Sequence, residues 1–138
     1  MALTHSEKQE FLARPHVAAL SVATPDRGTL TVPIWYAYTP GGRPWITTLP
    51  TSAKMQAITA AGRFGLMVDT VAPEVKYVSV EGAVADVRPS TAAQIAEMAG
   101  RYLSGDALEQ YLVFAHEQLG EHVTVWLEPE HWLGALIG

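Results

Sequence analysis

A short hydroxyl-rich segment that ends in a lysine is the part of the sequence best suited to bind an anion. Thr47 and Thr48 close a run with strand character, and a Leu-Pro turn leads on to Ser52 and Lys54. At a helix start, outward N–H groups and the helix dipole favour an anion, to which a serine hydroxyl and a lysine ammonium add donors. The segment therefore predicts a site for one phosphate monoester; the alternative is an ordinary serine cap beside a solvated lysine.

The aromatic segment Pro33–Tyr38, which precedes this turn, is the second feature that suggests a binding site. Its β-branched and aromatic composition is typical of a barrel strand with buried rings. Because side chains alternate along a strand, Trp35 and Tyr36 should face opposite sides and are not expected to meet the same ligand. One of the two rings is therefore expected to line a pocket, while the other packs in the core.

The elements that must position these residues are mainly strands. Runs rich in β-branched and aromatic residues, bounded by Gly and Pro, predict strands at 16–24, 29–38, 43–48, 64–69, 77–87, 121–128 and 132–137. Helical spacing predicts helices at 6–12, 52–61, between Ser90 and Ser104, and from Asp106 to Leu119, where Leu108, Leu112 and Ala115 would be buried. These strands and helices predict an α+β protein built on a barrel of mainly antiparallel strands.

Polar residues and glycines mark where these elements begin, end or deviate. The candidate N-caps are Thr4 or Ser6 for the first helix, Thr51 or Ser52 for the second and Ser90 for the third. Gly62 is expected to end the second helix. Gly82, inside the long strand at 77–87, predicts a bulge or a close approach of another backbone segment.

Composition narrows the classes of function. The 138 residues fit a single domain, 1–138, and the net charge of −5 with scattered basic residues argues against nucleic acid or anionic membranes as partners. The chain has no cysteine, and we find no signal peptide or span of transmembrane length, so a cytoplasmic location is expected. We also find no spacing typical of a metal site, a serine hydrolase or a P-loop.

Four stretches together resemble the pyridoxamine-phosphate-oxidase-like superfamily of FMN-binding split β-barrels, in particular its deazaflavin (F420)-dependent reductase branch. They are 33–38, 47–54, 76–82 and 127–132, and the similarity covers nearly the whole chain. The resemblance implies a six- to seven-stranded split barrel with a short helix after the third strand and two helices before the C-terminal strands. It also implies a homodimer with the cofactor cleft at the subunit interface.

The resemblance assigns cofactor binding to Thr47 and Thr48, through flavin or ribityl contacts, and to Ser52, Ala53 and Lys54, which form the phosphate-binding segment. It also assigns cofactor contacts to Pro33 and Trp35, in the Pro-x-Trp-Tyr strand, and to Tyr77 in a later strand. For Tyr36 and Trp132 it implies contacts with the cofactor ring or the substrate.

Departures from the oxidase pattern favour the deazaflavin. Val32, Ala37 and Ala53 stand where pyridoxamine-phosphate oxidases have basic residues, and Tyr77 stands in place of a flavin-contacting glutamine. These replacements remove most of the charge that such enzymes use to hold FMN and pyridoxal phosphate. The resemblance thus implies an oxidoreductase in which F420 transfers hydride to a small unsaturated organic acceptor, with no catalytic side chain identified and no metal.

Two alternatives remain open at the level of sequence. The same fold could bind FMN as an oxidoreductase, or it could be a non-enzymatic flavin or haem binder. A haem would require an axial ligand, for which His16, His116, His122 and His131 are available. None of these histidines has a partner at a recognisable spacing, so each is more simply a surface or strand residue.

Overall fold

A computed structural model of the chain describes residues 1–118 and 120–137. Within these residues the elements are α1 (His5–Ala13), β1 (Ala18–Val22), β2 (Leu30–Ile34), β3 (Trp45–Thr48), α2 (Ala53–Ala61), β4 (Arg63–Thr70), β5 (Val75–Pro89), α3 (Ala92–Tyr102), α4 (Gly105–Gln118), β6 (Val123–Leu127) and β7 (His131–Ile137). The predicted α+β class and element order are confirmed, with one helix after the third strand and two before the last strands. The predicted helix end at Leu119 lies outside the described residues.

The strands form one curled antiparallel sheet in the order β2-β1-β4-β5-β6-β3, and β7 also pairs with β5. The 15-residue strand β5 belongs to both halves of this sheet. Its first half pairs with β4 and β7, and its second half pairs with β6 after a register shift between Val84 and Asp86. Because a bulge bends and twists its strand, the shift turns the sheet into a split barrel.

Gly82 lies where the β6–β7 connection crosses β5. A Cβ atom at this position would overlap the carbonyl oxygen of Glu128, so only glycine allows the backbone approach seen here. The approach is held by hydrogen bonds from Glu128 N–H to the Ala83 carbonyl (2.8 Å) and from Glu130 N–H to the Glu81 carbonyl (3.1 Å). The predicted close approach is confirmed, whereas the bulge lies further along the strand.

The first two helices are capped at predicted positions. Thr4 accepts a hydrogen bond from Glu7 N–H and forms a capping box with the Glu7 carboxylate. Ser52 accepts from Met55 N–H at the start of α2, and Gly62 ends that helix in the left-handed conformation, with φ at +71°.

The prediction of Ser90 as the cap of α3 is wrong. Thr91 caps this helix, because its hydroxyl accepts from Gln94 N–H while the Gln94 side chain accepts from Thr91 N–H. The Ser90 hydroxyl is instead 2.8 Å from the hydroxyl of Thr124, a fully buried residue of β6. Ser90 thus connects the start of α3 to the barrel.

Strand β2 ends at Ile34, so the predicted continuation to Tyr38 is wrong. The backbone of Tyr36 bonds to α3 instead of to a neighbouring strand. Its N–H donates to the Tyr102 hydroxyl (3.1 Å), and its carbonyl accepts from Arg101 Nε (2.9 Å) and from the Tyr102 hydroxyl (3.0 Å). Because side chains satisfy these backbone groups, the segment leaves the sheet without burying unpaired polar atoms. A two-residue bridge between Ala37 and Trp45 remains.

The hydrophobic core fills the barrel and extends beneath α1 and α2. Its largest fully buried members include Tyr36, Leu12, Leu20, Ile46, Ile58 and Leu66. Of the residues predicted to be buried on α4, Ala115 is buried, while Leu108 and Leu112 are only half-buried, because α4 packs mainly on α3 rather than on the barrel. Among the described helices, none combines the length and the apolar character needed to cross a membrane.

Candidate cofactor-binding site

A cleft of about 420 Å³ opens where β3 ends and α2 begins. The β3–α2 segment forms one wall of the cleft, and the end of β2 forms a second. Residues of α3 and α4 and the residue before β6 complete the lining. The lining residues are Val17, Pro33, Ile34, Trp35, Thr47, Thr48, Leu49, Ser52, Lys54, Ile95, Met98, Tyr111 and His122. A volume of this size falls in the range of small-molecule sites, roughly 300–1,000 Å³.

Hydroxyl groups at one end of the cleft form a connected pair. Thr48 is only 4% exposed, and its hydroxyl lies 2.8 Å from the Ser52 hydroxyl. The Ser52 oxygen also accepts from Met55 N–H at 3.1 Å. If Thr48 donates to Ser52, both lone pairs of Ser52 are occupied and its own proton is available to a ligand. Capping and ligand binding are therefore compatible roles for this serine.

The start of α2 supplies further donors at the same end. Within the described residues, the N–H groups of Ala53 and Lys54 make no protein hydrogen bond, as expected for the first turn of a helix. No acidic residue occupies this turn. The half-buried Lys54 forms no ion pair with any described residue and is the one charged side chain among the lining residues given above. The arrangement suits a single anionic group.

An aromatic stack forms the opposite end of the cleft. The Trp35 ring is parallel to the Tyr102 ring, with centroids 4.7 Å apart and an interplanar angle of 12°, and it meets Tyr111 at 5.7 Å. Ile95 and Met98 on α3 complete this apolar end. A planar ring system would find apolar and aromatic contacts here, while its phosphate lay at the α2 end.

Hydrogen bonds hold the aromatic stack in place. The Tyr102 hydroxyl donates to the carbonyl of His16 (2.8 Å) or Tyr36 (3.0 Å) while accepting the Tyr36 N–H. Arg101 joins α3 to the same turn through the Tyr36 carbonyl. These contacts fix the position of Tyr102, and thereby the ring on which Trp35 stacks.

Six of the eight residues predicted to bind a cofactor line this cleft: Pro33, Trp35, Thr47, Thr48, Ser52 and Lys54. Ala53, between Ser52 and Lys54 in the chain, is not among the lining residues. Tyr77 lies elsewhere, on β5 between Asp69 of β4 and Ala135 of β7.

Neither aromatic predicted to contact the ring or substrate lines the cleft of the single chain. Tyr36 is fully buried, and its hydroxyl lies 2.7 Å from the Leu12 carbonyl and 2.9 Å from that of Arg14. Burial raises the pKa of Tyr36 well above its usual value. Trp132 makes edge contacts with the rings of His5 and Tyr38, at 5.5 and 5.9 Å.

Several cleft residues carried no chemical signature in the sequence. They lie before β1, at the end of β2, within the β3–α2 turn and on the late helices: Val17, Ile34, Leu49, Ile95, Met98 and Tyr111. Ile95 belongs to the apolar stripe of α3, which the sequence indicates, but periodicity alone does not reveal that this stripe faces a cleft rather than a closed core.

The histidines considered as haem ligands lie on different elements or in different loops. His16 packs on Phe11 with a centroid distance of 4.6 Å, and burial lowers its pKa. His122 lines the cleft, His116 lies on exposed α4, and His131 is exposed near Glu81. In the described part of the chain, no three His, Asp or Glu side chains are grouped so that they could hold a metal ion.

Comparison with protein-family models and with curated proteins finds no match to this sequence. Solved structures do share its fold. One described as an F420 reductase superposes with a TM-score of 0.73 at 21% identity, covering 90% of this chain and 94% of the other. An FAD-binding protein from Mycobacterium smegmatis gives 0.63 at 16% identity and full coverage of both chains.

A conserved hypothetical protein from Mycobacterium tuberculosis also superposes, with a TM-score of 0.70 at 17% identity, covering 94% of this chain and 82% of its own. At these identities the comparisons establish the fold. They confirm the split β-barrel architecture expected from the resemblance, an architecture shared with proteins described as F420- or flavin-associated.

Proposed function

We propose that this chain is an oxidoreductase that binds a flavin-type cofactor in the cleft, with F420 as the first candidate and FMN as the alternative. The observation that carries the proposal is the combination of an anion site and an aromatic wall in one cleft. Ser52, Lys54 and the free N–H groups of α2 provide the anion site, and Trp35 stacked on Tyr102 provides the wall.

The cofactor would supply hydride chemistry, and the protein residues would bind and orient it. Lys54 and Ser52 would hold the phosphate, with Thr47 and Thr48 beside the chain that links phosphate and ring. Trp35, together with the apolar residues of α3, would cover the ring and exclude water. The acceptor would be a small unsaturated organic compound.

F420 is preferred over FMN because the residues with which the oxidases hold FMN are replaced in this chain. Lys54 is the sole charged lining residue among those described, and the uncharged Val32 and Ala37 occupy positions that the oxidase pattern fills with basic residues. The similarity in fold to a protein described as an F420 reductase supports the same preference. FMN remains the alternative because backbone N–H groups can compensate for missing side-chain charge.

We also propose that the protein is a homodimer with the cleft at its interface. An exposed apolar strip lies beside the cleft, where Val17 is 58% and Met67 38% exposed. Val17 and Pro33 line both the cleft and an adjoining groove over β1 and β2. A second copy placed on this strip would cover apolar surface and deepen the cleft. Light scattering should show a dimer, and Val17→Asp should shift it towards monomer; a monomeric wild-type protein would exclude a shared cleft.

Replacing Lys54 by Ala tests the cofactor site. The variant should lose one charge-assisted contact, worth about 1.5–3 kcal/mol, and its Kd for F420 or FMN should rise about 10- to 150-fold. Lys8→Ala is the matched control, because Lys8 lies on α1, outside the cleft lining, and its loss should leave both Kd values unchanged. Fluorescence titration of the apo-protein measures these values. Unchanged affinity in the Lys54 variant would place the phosphate elsewhere.

The choice of cofactor and the activity need separate measurements. Mass spectrometry of the copurified ligand should identify F420 rather than FMN. Hydride transfer from the chemically reduced cofactor should be followed with a panel of enones. Tight cofactor binding without transfer to any acceptor would leave a carrier role only.

A further inference from the structure

Two polar side chains line the cofactor cleft outside its anion end and its aromatic end, those of Thr47 and His122. The other lining residues outside these two ends are apolar: Val17, Pro33, Ile34 and Leu49. Thr47 belongs to the β3–α2 segment, for which a cofactor contact is already proposed. The cleft therefore contains a histidine that the proposed contacts with phosphate and ring do not use.

The backbone of His122 is fixed at the end of the β3–β6 ladder. The next residue, Val123, is the ladder partner of Thr48, so His122 lies one residue beyond the paired strands. The His122 carbonyl accepts a hydrogen bond from the Ser90 N–H at 2.9 Å. Because Thr48 is also in contact with Ser52, at 2.8 Å between their hydroxyls, this end of the ladder places His122 near the hydroxyl pair of the cleft.

The His122 ring has one nitrogen in use and one available. Nδ1 lies 3.2 Å from the Gly120 carbonyl oxygen, and a carbonyl only accepts, so Nδ1 carries the proton in this contact. In the neutral imidazole, Nε2 is then an acceptor. Within the described residues Nε2 has no hydrogen-bond partner. A ligand group that meets Nε2 must therefore donate a hydrogen bond.

A phosphate and a hydroxylated chain require different partners in the cleft. An ionised phosphate brings acceptor oxygens, which Lys54, the Ser52 hydroxyl and the N–H groups of α2 would meet with donors. A hydroxyl on the chain between phosphate and ring also has a proton to donate, and a buried donor without a partner costs free energy. Thr47 can donate or accept, whereas Nε2 of His122 can only accept. His122 is thus the side chain matched to a hydroxyl proton.

We propose that His122 is a specificity-determining residue of the cofactor cleft, and that its Nε2 accepts a hydrogen bond from a hydroxyl of the ribityl chain. The proposal rests on the function proposed above and narrows the ligands of the cleft to polyol phosphates. FMN and F420 share the ribityl chain, so the contact serves either cofactor. A ligand with the same phosphate and ring but a hydrocarbon chain would leave Nε2 unpaired.

His122→Phe tests the contact, with FMN and a hydroxyl-free analogue as the two probes. In the analogue, a pentyl chain replaces the ribityl chain between phosphate and isoalloxazine ring. The variant keeps a ring in the cleft lining but removes the acceptor. The Kd for FMN should therefore rise about 2- to 12-fold, as for the loss of one neutral hydrogen bond, while the Kd for the analogue should stay at its wild-type value. Fluorescence titration measures both.

Two further variants make the result specific to the acceptor. His116→Phe is the matched control, because His116 is exposed on α4 and does not line the cleft, and both Kd values should be unchanged. His122→Gln should restore part of the preference for FMN over the analogue, because its amide oxygen can accept in place of Nε2. Equal changes for the two probes in His122→Phe, or no change for either, would overturn the hydroxyl contact, since a purely structural role of the ring affects both ligands alike.

A ring-free pair of probes, D-ribitol 5-phosphate and pentyl phosphate, separates failure of this proposal from failure of the proposed function. If the wild-type protein binds neither FMN nor F420, the proposed cofactor function is overturned. NMR titration with the ring-free pair then decides on His122: a preference for ribitol phosphate that His122→Phe abolishes would retain its role, and any other result would overturn it. If only F420 binds, the same two compounds serve as competitors of F420, and an advantage of ribitol phosphate that persists in His122→Phe would overturn the contact while the cofactor site remained.

Discussion

Trp35 and Tyr36 are neighbours in the chain but belong to different parts of the molecule. Trp35 is half-buried in the cleft, where it stacks on Tyr102 and meets Tyr111 at a tilt of 43°. Tyr36 is 0% exposed. Its hydroxyl lies within hydrogen-bond distance of the carbonyls of Leu12, in the last turn of α1, and of Arg14, which follows the helix. A ring that lines a cleft can contact a ligand, whereas a buried ring whose hydroxyl is hydrogen-bonded stabilises the fold.

Further aromatic residues repeat this division. Tyr38 and Trp132 pack under α1, with the Tyr38 hydroxyl 2.9 Å from the Gln9 side-chain oxygen. Tyr102 and Tyr111 stand on α3 and α4 around Trp35. We call Tyr36, Tyr38 and Trp132 the α1 group. Trp35, Tyr102 and Tyr111 form the cleft group. The comparison predicts that loss of a ring in the α1 group changes chiefly stability, while loss of a ring in the cleft group changes chiefly ligand affinity.

Tyr36→Ala should have the largest effect. Removing a fully buried ring and its two hydrogen-bonding options should lower the free energy of unfolding by about 3–5 kcal/mol, as for other large aromatic truncations in cores. Urea unfolding followed by circular dichroism measures this. The half-buried Trp35→Ala is the control and should cost clearly less; equal losses would remove the distinction between the groups.

Tyr102→Phe should have an intermediate effect. The variant keeps the stack on Trp35 but leaves the Tyr36 N–H without its partner, at a cost of about 1 kcal/mol in unfolding free energy. Tyr111→Phe is the matched control, because within the described residues the Tyr111 hydroxyl has no hydrogen-bond partner. Thermal unfolding of both variants provides the comparison, and the same melting temperature in both would contradict a positioning role for the Tyr102 hydroxyl.

Trp35→Leu should reduce cofactor affinity rather than stability. Loss of one aromatic contact is worth about 0.5–1.5 kcal/mol, so the Kd for F420 or FMN should rise about 2- to 12-fold. Trp132→Leu, in the α1 group, should lower the melting temperature and leave these Kd values as in the wild type. Fluorescence titration measures the Kd values and thermal unfolding measures the melting temperatures. A Kd that rises in the Trp132 variant but not in the Trp35 variant would contradict the grouping.

His16 should contribute the smallest effect, visible as a pH dependence. Burial lowers its pKa in the folded state, so the unfolded chain binds the proton more readily. Stability from the neutral ring is therefore present above the unfolded pKa of about 6.5 and declines as pH falls below it. From pH 8 to pH 5, a span of about three units around this pKa, the free energy of unfolding should fall less in His16→Gln than in the wild type. Parallel curves would refute this assignment.

Local features of this protein were predictable because they depend on neighbouring residues. The caps at Thr4 and Ser52, the helix end at Gly62 and the close approach at Gly82 each follow from one or two side chains. The Ser90 prediction failed because two adjacent hydroxyl residues both fit a cap, and a contact with Thr124 on a distant strand decided between them.

The candidate site divides in the same way. Its proposed anion end lies within the continuous segment Thr47–Lys54, so residue order was sufficient to predict that Thr47, Thr48, Ser52 and Lys54 lie together. Its aromatic end required the turn after Ile34, where Tyr102 and Arg101 satisfy the Tyr36 backbone from 65 residues or more away in the chain. No local pattern indicates such a contact, and the strand prediction therefore continued to Tyr38.

The sequence by itself determined the antiparallel barrel, the caps of α1 and α2 and the hydroxyl-lysine turn, because each depends on alternation, helical spacing or adjacent donors and acceptors. Only the tertiary structure decided which aromatics face an opening and which lie in the core. That choice depends on how α3 and α4 pack over the barrel, through contacts such as Trp35 with Tyr102 and Tyr111. Contacts between residues far apart in the chain also brought Ile95 and His122 to the lining of the cleft.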